Sequence, residues 1–173
     1  MWILNILKVK KKKEDMGFEM LMRLKPVEMW ILLLLRLAGG ELCCKTKIMK
    51  LLFLVEKVYG VTGAKFKPYK YGPWSKDVEE ALKRLKKLDL VEEEALNKPP
   101  EGPEHTGAEY VYRLTEKGRE TAEKIPVRDM GWEYPYIRAK TFIDWDVREL
   151  TRYIYINYPE YASESVIRDK VLS

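Results

Sequence analysis

The chain is 173 residues long, 46% hydrophobic and 34% charged, the composition of a folded chain with one modest core, neither disordered nor membrane-embedded. Its basic excess lies entirely in the first half: residues 1–87 carry 20 basic and 9 acidic side chains, net +11, whereas residues 88–173 carry 12 and 18, net −6. Attraction for a polyanion therefore belongs to the first half.

Gln is absent, Asn occurs three times, and Lys and Glu are abundant, a pattern that matches a heat-adapted surface. Cys43 and Cys44 are neighbours, so they close no ordinary disulfide loop. Two ligands alone make no zinc site, and the pair reads as reduced thiols of a cytoplasmic protein. The apolar runs are too short to span a bilayer. The order apolar-then-basic at residues 2–13 is the reverse of a signal peptide.

Residues 1–25 read as a basic appendage, with Lys8, Lys10, Lys11, Lys12 and Lys13 repelling one another and no clear amphipathic period around them. Met16 offers an alternative start within it. Pro26 suits a first helical position. The apolar residues 29–35 that follow imply a helix covered on several sides and stopped at Gly39-Gly40. Thr46 is the expected N-cap of a second helix ending at Gly60, with Ile48, Leu51, Leu52, Val55 and Val58 on its buried face. Residues 65–74 are rich in Pro and Gly and read as a loop whose aromatics pack on the core. Ser75 caps a third helix that runs to about Leu88.

Strands are expected at 89–96 and 108–114, around a loop at 97–107 that holds the single histidine, His105. Thr115 caps a short helix to about Ile125. Beyond residue 126 aromatics are dense, and a helix is expected at about 145–158. Because Tyr153, Tyr155, Tyr158 and Tyr161 cannot share one face of it, part of this extension is expected to pack on a second copy. The expected fold is mainly α with a small β-hairpin: a winged helix-turn-helix over 26–125, plus an aromatic-rich helical extension at 126–173.

The stretch Lys45-Thr-Lys-Ile-Met-Lys-Leu-Leu-Phe-Leu-Val55, followed by Tyr69-Lys-Tyr-Gly-Pro-Trp-Ser75 and the amphipathic third helix, resembles the Panacea (SocA-like antitoxin) domain group and related archaeal proteins. The later Tyr112-Arg-Leu-Thr-Glu-Lys-Gly-Arg119 is similar to the end of the wing in winged-helix transcription regulators. The second resemblance implies duplex DNA held by the third helix. The first implies a protein partner of toxin type, held by Tyr71, Gly72, Pro73 and Trp74.

The charges favour DNA contact by backbone phosphates. The face expected to carry it comprises Lys47, Lys50, Lys67 and Lys70 with Lys76, Lys83, Arg84 and Lys87. Two features oppose ordinary docking: Asp77, Glu79 and Glu80 in the first turns of the third helix, and Glu92, Glu93 and Glu94 before the loop. Catalysis is not expected, since no nucleophile stands at recognisable spacing from His105 and no phosphate-binding glycine loop is present. No cofactor and no metal site are expected either.

Overall fold

The computed structural model describes residues 2–96 and 110–173. The expected loop at 97–107, with Lys98 and His105, lies outside them. The described chain is mainly helical with a small antiparallel sheet.

Within the expected basic appendage, residues 2–22 form a 21-residue helix, α1 (Trp2–Met22). Leu, Met, Lys and Glu are all strong helix formers, and propensity here outweighs the missing amphipathic period. Much of α1 leaves apolar side chains in solvent, Trp2 at 80% and Phe18 at 64% exposure, and it docks near its C-terminal end, where Leu21 is buried. The next helix is its opposite. In α2 (Pro26–Leu37), residues 30–35 are all fully buried, each worth roughly 1.5–3 kcal/mol relative to exposure. Pro26 occupies the first turn, and the Glu28 carboxylate accepts the Lys25 N–H at 2.8 Å.

Strand β1 (Glu41–Cys43) leads into α3 (Lys45–Tyr59), whose N-cap is Cys44, two residues before the expected Thr46. Helix α3 is buried along the continuous run 48–55, because two later helices, residues 133–143 and 147–157, cover a second side of it. The Pro/Gly-rich segment, expected to be a loop, contains a two-stranded hairpin, β2 (Lys67–Tyr69) and β3 (Gly72–Trp74), with Tyr69 opposite Gly72. Gly72 makes this turn possible. Its φ is +104°, and a Cβ there would sit 3.2 Å from both Lys50 Nζ and Tyr155 Cε1.

Ser75 caps α4 (Lys76–Lys87) by accepting the Val78 N–H at 3.4 Å. Strands β4 (Val91–Ala95) and β5 (Tyr110–Leu114) follow, and the sheet order is β1-β5-β4, antiparallel throughout. Thr115 joins this sheet to α5 (Glu116–Glu123): its hydroxyl donates to Asp89 O at 2.6 Å and accepts the Gly118 N–H at 2.9 Å. A Cβ on Gly118 would lie 1.9 Å from Leu90 O, so only glycine lets α5 approach the strand so closely.

The last third adds α6 (Glu133–Ile143), which the sequence reading did not anticipate. It also holds α7 (Val147–Asn157), a 3-10 turn (Pro159–Ala162) and the short α8 (Arg168–Leu172). Asp146 and Glu149 form a capping box at the start of α7. This region shares the main core. Trp132 lies 5.3 Å from Trp30, and Tyr158 and Tyr161 flank Phe53 at 5.4 and 4.6 Å. Tyr155 is buried too. The tyrosines expected to reach a second copy therefore find cover within their own chain, where Tyr153 packs on Phe142 at 5.3 Å.

Candidate functional site

Helix α4 has two sides of different character. Val78, Ala81, Leu82 and Leu85 are buried. Lys76, Glu80, Lys83 and Lys87, at spacings of four, three and four, share the exposed stripe. Lys76 and Glu80 pair at 3.5 Å, a fully solvated contact of small worth. Lys83 and Lys87 make no ion pair among the described residues.

Two members of the expected basic face are engaged within the fold. Lys50 is 1% exposed, and its ammonium donates to Tyr71 O at 2.6 Å. Arg84 turns inward: its guanidinium meets the carboxylate of Glu28, itself 1% exposed, and donates to Arg23 O at 2.9 Å. The rest scatter. Lys47 is half-buried in the first turn of α3, and Lys70 is exposed at the hairpin turn, where its carbonyl accepts the Val166 N–H at 3.0 Å. Lys67 is exposed with its ammonium 5.1 Å from the centre of the Trp74 ring.

The tetrad Tyr71, Gly72, Pro73 and Trp74 is not an exposed patch. Gly72 and Pro73 are buried, and Tyr71 and Trp74 are half-buried. Together they wall a cleft of about 520 Å³ between the start of α3, one side of α4 and the β4–β5 face. Lys50 and Lys83 line this cleft, and so do Lys45 and Lys86, which the expected face had omitted. Two carboxylates join them. Glu79 accepts hydrogen bonds from Trp74 Nε1 and Lys45 Nζ, both at 3.1 Å, and Glu93 accepts from Lys86 Nζ at 2.9 Å.

Burial works to raise the pKa of both carboxyls, but their hydrogen bonds and the lysines beside them outweigh it. Trp74 and Lys45 hold Glu79 below the ordinary carboxylate value, and Tyr112 and Lys86 do the same for Glu93. The Tyr112 phenol, buried and bonded to Glu93, is pushed far above its usual range and stays neutral. Both carboxylates are therefore ionised at neutral pH and already engaged.

The signal for Lys86 and Tyr112 was present but weak. Opposite registers in β4 and β5 place Glu93 against Tyr112, a pairing legible only once the hairpin is drawn. Among the described residues no group of His, Cys, Asp and Glu could hold a metal ion, and no helix is long and apolar enough to cross a membrane. No protein-family model matches the chain, and comparison with curated proteins gives no match either.

Proposed function

We propose that this protein is a non-catalytic, winged-helix DNA-binding protein of regulatory type, holding duplex DNA through the exposed stripe of α4. The order α2, β1, α3, α4 and the β4–β5 hairpin, with β5 between β1 and β4 and the β2–β3 hairpin inserted between α3 and α4, supports the winged-helix assignment. Fold alone does not imply DNA. The single observation that carries the reading is the stripe itself: Lys76, Lys83 and Lys87 face solvent together on the second helix of the helix-turn-helix pair. Lysines so placed make phosphate contacts that position a duplex without reading its bases. The carboxylates of β4 keep the hairpin off the phosphates, so the helix carries the contact.

Fluorescence anisotropy against a mixed-sequence duplex over a salt series tests this. With about three phosphates neutralised, one for each lysine of the stripe, log affinity falls against log salt with a slope of about −2.7. Replacing Lys10, Lys11 and Lys12 of α1 by Gln leaves most of that binding in place. Loss of all binding in that variant would assign the effect to α1 instead.

A second reading is a Panacea-like module that holds a protein partner. One observation favours it: Tyr71 and Trp74 wall an open cleft. No DNA binding even at low salt would overturn the first reading and leave the second.

A further inference from the structure

We infer that the first turns of α1 attach the protein to an anionic lipid surface, such as a bilayer that contains phosphatidylserine. Its apolar side chains enter the boundary between headgroups and acyl chains, and the lysines that follow meet the headgroup anions.

Helix α1 divides into two parts. Contact with the rest of the fold lies near its C-terminal end, where Leu21 is buried and Met20 packs against the core. Met16 and Gly17 share a cavity wall with Glu120 and Thr121 of α5. Every residue from 2 to 12 is exposed. Among them Ile3 and Leu4 are 70% and 60% exposed, with Trp2 more open still. Apolar side chains clustered this densely on a surface mark a place of contact.

The geometry decides what can cover them. Successive residues of a helix point about 100° apart, so Trp2, Ile3 and Leu4 face three different ways. Ile6, Leu7 and Val9 fill the directions between, and only Asn5 interrupts. A helix that is apolar on every side requires cover on every side. A groove on a protein, or one neighbouring helix, covers a single side, whereas fluid acyl chains close round all of them. From residue 2 to residue 9 the helix rises about 10 Å, the depth to which interfacial helices sink.

The charge decides which lipid. Lys8, Lys10, Lys11 and Lys12 are all exposed, and residues 2–12 contain no carboxylate. Glu14, Asp15 and Glu19 come only after them, toward the docked end. Lysines so placed lay their stems along the apolar segment and keep their ammonium groups among the headgroups. Each strengthens attachment to an anionic surface by about fivefold. The same lysines oppose a second copy. They lie near the middle of the 21-residue helix, so pairing along its length in either direction sets them against one another. Among the described residues no helix is long and apolar enough to cross a membrane, so the attachment is to one face of a bilayer.

Sedimentation of the full chain with sucrose-loaded vesicles, without nucleic acid, tests this. Vesicles of one part phosphatidylserine to two parts phosphatidylcholine bind at least tenfold more tightly than phosphatidylcholine alone, and added salt weakens the attachment. Trp2→Gln with Ile3→Gln and Leu4→Gln lowers affinity for the anionic vesicles by at least tenfold. Lys10→Gln with Lys11→Gln and Lys12→Gln lowers it by about a hundredfold. Gln is a good helix former and all six side chains are exposed, so both variants melt as the parent does.

The proposal is overturned if anionic vesicles leave the full chain in the supernatant, or if phosphatidylcholine alone binds it equally well. It is equally overturned if the apolar variant binds as the parent does, because charge alone then suffices. A parent that ignores vesicles but dimerises in the ultracentrifuge, with the apolar variant monomeric, would assign the segment to a second copy instead.

Discussion

Helix α4 and the β4–β5 hairpin carry opposite charge on neighbouring surfaces, and they use it differently. On α4 the outward lysines Lys83 and Lys87 remain in solvent, while Arg84 is drawn in to neutralise a buried carboxylate. On the hairpin, carboxylates are taken up at the surface: Arg113 lies between Glu41 and Glu94, and Glu93 accepts from Lys86. A tally of charges by region would make α4 mixed and the hairpin merely acidic. The pairing says more, because it separates charge available to a partner from charge already spent within the fold.

The comparison breaks most severely at Arg84. Arg84→Ala strands Glu28, whose second oxygen already has no hydrogen-bond partner, and costs about 3 kcal/mol, measured by chemical denaturation. A cost below about 1 kcal/mol would mean that Glu28 turns out to water. Charge reversal at Arg84 is therefore a stability variant and a poor probe of DNA contact.

The next largest effect is expected outside the fold. Lys83→Glu with Lys87→Glu lowers duplex affinity by about a hundredfold at low salt and flattens the salt slope by about two, with the melting temperature preserved. An unchanged affinity would remove α4 from the interface. Converting the hairpin sharpens the contrast from the other side: Glu92→Lys with Glu94→Lys raises duplex affinity by about tenfold if the strand lies near the phosphates. No change would place it well clear of the DNA.

Acid provides a finer test. Glu79 and Glu93 have folded pKa values lowered from 4.5. Their stabilising contribution is complete above that value and drains away as pH falls through the lowered folded value. Glu93→Gln therefore loses less stability than the parent between about pH 5 and pH 3, as melting curves at each pH will report. An equal loss would show that the Lys86 and Tyr112 contacts do not distinguish the ionised form. Smallest of all, Arg113→Ala leaves the melting temperature nearly unchanged, because its partners stay solvated.

How much of this was legible from residues alone varied with the kind of signal. Pro26, Gly60, Ser75 and Thr115 mark helix ends by local chemistry, and α2, α3, α4 and α5 begin or stop beside them. Helix α1 was missed because a search for one apolar face passes over a helix that buries few of its residues. The β2–β3 hairpin was missed for a different reason. Density of Pro and Gly usually signals irregular backbone, but Gly72 here serves a turn whose demand comes from Lys50 and Tyr155, far away in sequence.

Lys50 itself was placed outward on the strength of its charge. The unbroken apolar run 51–55 beside it was the available hint that α3 is covered on more than one side. The basic helix face was thus half legible. The cleft was not, since its walls come from five segments that no local pattern connects.

The bond from Arg84 to Glu28 has one more consequence. Successive residues on a helix point about 100° apart, so turning α4 by a single position would withdraw the guanidinium and leave the buried Glu28 carboxylate with the Lys25 N–H alone. The helix thus has a fixed bearing as well as a fixed place. The outward stripe of Lys76, Lys83 and Lys87 keeps that bearing with it.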